Sequence, residues 1–240
     1  MGVMRTLLEY TAALKKIIGD FGADLVGVAD VAALAGIKTV PPGLLDPFNR
    51  AISIAVTYPI SALDGVKDRP TVEYVATYME ASRRLDEIAI LTAQLLEKDG
   101  YKALALPVSL TLDRNGWYGG ISHKAVARMA GIGWQGKSLL IVTPGFGPRV
   151  RLVTVLTDAT LDFDAPIANR YGECTACRDA CPAGAIKGAK TDSHYASRDE
   201  ALFFSKCVNV LYGEFAKIPG VGGGSCGVCI SVCPFSRGGI

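Results

Sequence analysis

Residues 171–182 read YGECTACRDACP. From Cys174 onward the spacing is C-x2-C-x3-C-P, the tail of the bacterial iron–sulfur run C-x2-C-x2-C-x3-C-P. Cys174, Cys177 and Cys181 stand in place with Pro182 behind them, and Tyr171 occupies the position of the run's first cysteine. The spacing returns 52 residues later in CGVCISVCP, 226–234. Buried inert thiols do not account for two copies of one spacing, and metal binding does.

The chain has seven cysteines, all between Cys174 and Cys233. An odd count cannot pair fully, and a disulfide scaffold is not expected of a cytosolic protein. Zinc also takes C-x2-C pairs, in closed sites of four ligands. Seven cysteines do not make two such sets, and the Cys-Pro ending belongs to ferredoxins. In two-cluster ferredoxins the cysteine before proline ligates the other cluster. That rule assigns Cys174, Cys177 and Cys233 to one cluster and Cys226, Cys229 and Cys181 to a second. Cys207, in FFSKCVNVL, lies between the motifs and completes the second set. Both clusters are expected to be of the 4Fe–4S type, the first with three cysteines. Tyr171 then has three readings: a phenolate ligand to iron, a cover over an iron carrying water or a small ligand, or a filler beside a cluster reduced to 3Fe–4S. The last two are favoured over ligation.

A chain of 240 residues, 50% hydrophobic, can bury a substantial core. Its formal net charge of +2 indicates neither a nucleic-acid footprint nor a membrane-surface patch. No apolar run approaches the roughly 18 residues of a membrane span, and MGVMRTLLEYTAALKK lacks the apolar centre of a signal peptide. The expected location is the cytoplasm.

The apolar pattern predicts a helix over Leu7–Phe21, a strand in ADLVGVAD, a loop in VPPGLLDPFNR and a buried strand in AISIAVTY. A long helix runs from Thr71 to Lys98, stopped by Gly100, and KALALPV is a strand. Ser122 can cap HKAVARMAG. SLLIVT and RVRLVTVLT flank PGFGP and read as a hairpin. These elements make an α+β domain over 1–160. DATLDFDAPIANR is a linker, and 161–240 form a small cluster-binding domain in which metal substitutes for a large core.

AGIGWQGKSLLIVTPGFGPRVRLVTVLTD (130–158), CTACRDACPAGAI, the lone SKC and CGVCISVCP together resemble the epoxyqueuosine reductase family, which is related to the reductive dehalogenases. GADLVGVAD and AISIAVTY are compatible with it. The resemblance implies a nitroreductase-like α/β domain that binds cobalamin, followed by a small ferredoxin-like iron–sulfur domain that supplies electrons for a reductive elimination. It also implies the same cluster sets, with Tyr171 standing where the family's first cysteine would be. The family's proton-donating Asp upstream of AGLGW falls, by count, on Trp117; Asp113 is close but out of register. The sequence ends seven residues after Cys233 without the helical-repeat tail that engages tRNA. The expected activity is therefore an iron–sulfur oxidoreductase acting on a small molecule or corrinoid rather than on tRNA. Its electrons would come from a ferredoxin- or flavodoxin-like protein. Flavin is the lesser cofactor alternative to cobalamin. A ferredoxin-like carrier or activator that docks a partner protein is the alternative function.

Four residues of the GIGWQGK segment and the hairpin are cofactor-binding candidates: Gly133, Trp134, Lys137 and Arg149. Glycine in a turn after a helix, tryptophan in a core and basic side chains on a hairpin are the bland explanations of the same residues. His123 is a candidate proton donor near neutral pH, and Tyr118 is an outside candidate because phenols donate protons.

Overall fold

The computed structural model describes residues 6–238. In chain order its elements are α1 (Leu7–Asp20), β1 (Leu25–Asp30), β2 (Arg50–Thr57), α2 (Val72–Lys98), β3 (Ala103–Leu106), α3 (His123–Met129), β4 (Trp134–Gln135), β5 (Ile141–Val142), β6 (Val150–Thr157), α4 (Ala176–Asp179), α5 (Arg198–Ala201), α6 (Phe204–Asn209) and α7 (Val228–Ser231). They form two compact units, each drawn from several stretches: residues 1–56, 82–132 and 151–167 in the first, and 57–81, 133–150 and 168–240 in the second. Among the described residues no helix is long and apolar enough to cross a membrane.

The first unit is organised by a sheet of order β1-β2-β6-β3. β1 runs antiparallel to β2, with Val28 opposite Ile52, and β3 antiparallel to β6, with Leu106 opposite Thr154. β2 and β6 are the inner strands and carry the longest buried runs, Ala51–Val56 and Leu152–Thr157. The start of α1 follows from Thr6 and Glu9, which exchange side-chain and backbone bonds in a capping box. Leu14 and Ile18 face the core, while Leu7 and Leu8 stay exposed. α2 places Leu85, Ile88, Ala89, Thr92 and Leu96 on one buried stripe, the spacing an amphipathic helix requires. α1 and α3 pack on β1. Only a glycine fits at Gly27, because a Cβ there would lie 2.0 Å from the Ala130 carbonyl oxygen.

The hairpin expected from SLLIVT and RVRLVTVLT does not form. Thr143 and Gly147 close the PGFGP turn by exchanging backbone bonds. Beyond the turn the strands part: β5 pairs with β4, and β6 enters the large sheet between β2 and β3. A strand buried on six consecutive residues needs partners on both edges, which a two-stranded hairpin cannot provide. The stretch 158–170 is irregular, as a linker should be, yet it is not a free tether. Leu161 is buried, and the Asp164 carboxylate accepts bonds from Lys15 Nζ at 2.7 Å and the Val28 N–H at 2.7 Å.

Candidate metal centres

The two cysteine motifs adopt the same local shape. In each, the second cysteine lies on a one-turn helix, Cys177 on α4 and Cys229 on α7, and the two helices pack together. The third cysteine closes the following turn: the Cys181 N–H donates to Arg178 O, and the Cys233 N–H to Ile230 O. Proline after each cannot continue a helix hydrogen-bond ladder, so the chain leaves in a new direction. The second motif needs Gly227, whose φ is +81° and whose missing Cβ would lie 2.7 Å from the Tyr74 ring.

These turns distribute the seven free cysteines over two cavities of the second unit. Cys174, Cys177 and Cys233 line one, together with Trp134, Lys137 and Tyr171. Cys181, Cys207 and Cys226 line the other, among apolar residues such as Ile186 and Phe215, and Cys229 touches both. The electrostatics divide them in the same way. Burial pushes the Cys233 thiol up to about 11, with Cys177 and Cys174 adding to the rise. Burial likewise raises Cys226 to about 11, and its thiol neighbours are Cys207 and Cys181. Cys229 is pushed up most strongly by burial and then by Cys226, with Cys177, Cys207 and Cys181 adding smaller amounts. Without a cation such thiols stay protonated near neutral pH; bound metal would deprotonate them. Cys181 Sγ also accepts the Ala185 N–H at 3.4 Å.

The surroundings offer positive charge and hydrogen-bond donors to an anionic group. Among the described residues no group of three His, Cys, Asp or Glu side chains is gathered as a metal site. Two buried donors lack acceptors among the described residues: Nε1 of Trp134, a residue lining the first cavity, and Oγ of Ser225, which precedes Cys226 in the sequence. Lys137 is 4% exposed, and its ammonium donates to the carbonyl oxygens of Gly172 at 3.1 Å and Cys174 at 2.8 Å. Burying a cation is costly unless negative charge is near; the exposed Glu173 carboxylate feels this ammonium, and a cluster held by thiolates would add negative charge inside the cavity.

Tyr171 lines the first cavity with its ring, but its hydroxyl is engaged elsewhere. It donates to Thr191 O at 2.6 Å and accepts from the Thr191 N–H at 2.8 Å and Asn169 Nδ2 at 3.3 Å. Glu173 pairs with Lys190, and His194 bonds Ser193. Nothing in the sequence marked Thr191 and Asn169 as the residues that orient position 171.

The four cofactor candidates lie together in the second unit, each in internal contacts. A Cβ at Gly133 would meet Val142 O at 2.3 Å, so this glycine serves the β4–β5 pairing. Trp134 is fully buried, edge-on to Phe235 with ring centroids 5.1 Å apart. Arg149 donates to Ser236 O and Tyr58 O. The proton-donor candidates belong to the first unit. His123 bonds Thr154 Oγ1 at 2.9 Å and Pro107 O at 3.1 Å, and burial lowers its pKa to about 4. Tyr118 lies under the Lys38 ammonium, 3.9 Å from the ring centroid. That ammonium also pairs with Asp113 at 2.9 Å and, by this bond above all, holds the carboxyl below its usual range.

The fold is that of reductive dehalogenases and epoxyqueuosine reductases. A reductive dehalogenase structure, described as suggesting a mechanism for B12-dependent dehalogenation, superposes with a TM-score of 0.73 at 20% identity, covering 99% of this chain and 33% of that one. The epoxyqueuosine reductase from Bacillus subtilis superposes with a TM-score of 0.63 at 23% identity, covering 95% and 66%. By sequence, the chain is a homologue of the epoxyqueuosine reductases over most of its length: it is 33% identical to that of Bacillus anthracis over 205 residues, 84% of this chain and 52% of the relative. A tetrachloroethene reductive dehalogenase from Sulfurospirillum multivorans is 35% identical over 123 residues, 48% of this chain and 24% of the relative. The chain thus spans about half the length of its epoxyqueuosine reductase relatives. No family model matches it.

Proposed function

We propose that this chain is an iron–sulfur reductase with two clusters, one held by Cys174, Cys177 and Cys233 and the other by Cys181, Cys207, Cys226 and Cys229. The observation that carries the reading is the grouping of Cys174, Cys177 and Cys233 in one cavity and Cys181, Cys207 and Cys226 in an adjoining one, with Cys229 touching both and each Cys-Pro cysteine in the cavity of the opposite motif. Bound clusters would supply one-electron transfer. The protein's own contribution is to exclude water with the apolar wall around Cys226 and to neutralise cluster charge with Lys137. It also offers donors to sulfur from the Ala185 N–H, Trp134 and Ser225.

The substrate is proposed to be a small molecule or corrinoid rather than tRNA, with an external protein as electron donor. Cobalamin enters through the relatives alone. Of the residues expected to hold it, Gly133 serves strand pairing and Arg149 is committed to backbone carbonyls within the second unit. A second reading, an electron carrier docking a partner, has one observation in its favour. Phe203 is half-exposed between Lys187 and Lys206, four residues before Cys207.

Anaerobically purified protein should contain about eight irons with matching acid-labile sulfide if both clusters are cubane, or about seven if the first has three irons. Stoichiometric zinc without iron would refute the proposal. Tightly bound cobalt would support a corrinoid, whereas clusters alone with reversible electron exchange would favour the carrier.

A further inference from the structure

The first cavity is lined by Cys174, Cys177 and Cys233, by Cys229, which it shares with the second cavity, and at a further corner by Tyr171. Tyr171 covers that corner, and a hydroxyl has one proton to donate and two lone pairs to accept with. All three are used by Thr191 and Asn169. Ligating iron would require the phenol to lose the proton it gives to Thr191 O and to turn away from three partners.

The same corner has unspent donors. Lys137 carries three N–H groups; two reach the carbonyls of Gly172 and Cys174, and the third has no acceptor among the described residues. Its nitrogen lies 5.1 Å from the Tyr171 ring centroid, which sets the charge beside that corner. Trp134 adds an indole N–H that is fully buried and unpaired. A buried ammonium with one N–H left over and a buried indole N–H without an acceptor among the described residues favour an occupant that is anionic and accepts hydrogen bonds.

Resting on the three-cysteine reading of this cavity, we propose that its fourth iron position is an exchangeable site for a small monoanion. Tyr171 closes it as a ring and not as a ligand, and Lys137 selects for negative charge. The second cavity, with four cysteines, has no such position. Lys137 acts on the anion by charge and one hydrogen bond, so neutral ligands should be indifferent to it.

The test uses the complete, cluster-loaded protein under anaerobic reducing conditions with ferrous iron present. It is titrated with cyanide and, separately, with neutral methyl isocyanide, and read by electron paramagnetic resonance. Cyanide should change the signal of one cluster only. Lys137→Met should weaken cyanide binding by about tenfold or more, the effect of losing one charge-assisted bond, and leave the isocyanide affinity unchanged, while Lys137→Arg restores most of the loss. Tyr171→Phe should leave the spectrum of the ligand-free protein as it was, and Tyr171→Cys should abolish the cyanide response with both clusters intact. The proposal is overturned if the loaded wild-type protein ignores cyanide, if both clusters respond alike, or if a three-iron cluster takes up no fourth iron. It is overturned equally if Lys137→Met weakens the two ligands alike, or if Tyr171→Phe shifts the resting spectrum. Absence of iron from the protein would instead defeat the cluster reading beneath it, so the two failures are told apart by metal analysis.

Discussion

His123 offers a test that separates a structural histidine from a catalytic one. Pro107 O can only accept, so Nε2 carries a proton, and in the neutral ring Nδ1 accepts from the Thr154 hydroxyl. Burial is the main reason its pKa falls from 6.5 to about 4, with Arg151 and Lys124 lowering it further against the opposing pull of Pro107 O and Asp86. The residue is also the first of α3, where a positive charge would oppose the helix dipole. The sign follows from proton counting. Between pH 6.5 and 4 the unfolded chain binds a proton at this histidine and the folded chain does not, so stability falls as the solution is acidified through that window. It is fully present above about 6.5, and nothing further is lost below about 4. At about 1.4 kcal/mol per pH unit the whole effect is about 3 kcal/mol.

His123→Gln keeps an acceptor and a donor at this position but cannot titrate. Urea unfolding of both proteins between pH 4.5 and 7.5 should give curves whose difference in unfolding free energy changes by about 2–3 kcal/mol, the wild type losing more in acid. Acid effects on clusters and carboxylates occur in both proteins and cancel in the difference. Parallel curves would show that the ring is not held neutral, and His123 would return as a candidate proton donor.

Cys181→Ala should leave the same surviving cluster signal as Cys226→Ala, and a different one from Cys174→Ala. If Cys181→Ala instead matched Cys174→Ala in electron paramagnetic resonance, ligation would be by sequence neighbours and the crossed assignment would be wrong. Gly227→Ala puts a Cβ at a left-handed φ and against Tyr74. It should lower stability by at least about 1–2 kcal/mol and speed loss of the Cys226–Cys229 cluster under chelator, and an unchanged melting temperature would refute the close approach.

The legible part of this fold is the part with local causes. The capping box at Thr6, the buried stripe of α2, the Ser122 cap and the β-branched strands are set by neighbours within a turn or two, and the sequence pattern carries them. The hairpin misreading marks the limit. Alternation and a Gly/Pro turn announce that SLLIVT and RVRLVTVLT reverse direction at PGFGP, but not that β6 is more deeply buried by pairing with β2 and β3. Partner choice depends on residues 50–57 and 103–106, remote in sequence. The expected cysteine grouping rests on a spacing rule that encodes a three-dimensional consequence, and the lining of the two cavities is what supports it. The orientation of Tyr171 was not legible, since it depends on a carbonyl twenty residues away.

Crossed sharing of cysteines, if metal is held as proposed, ties the two motifs of the second unit together. If each motif kept its own cluster, 174–182 and 226–234 could load metal as separate loops. With Cys181 lining the cavity of Cys226 and Cys233 that of Cys174, neither set is complete until both motifs meet. The loop between them must close first, and the free energy of metal binding is then spent in part on that closure. α4 packing on α7 is the contact that brings the motifs together, and the small core of Leu139, Ile186, Tyr195, Ala201 and Leu202 beside Cys177, Cys181 and Cys229 supports it. That small core is one part of the unit's apolar interior, which also buries Tyr58, Tyr74, Trp134, Val228 and Ile230, so the dependence on metal should be strongest in the loop that joins the two motifs.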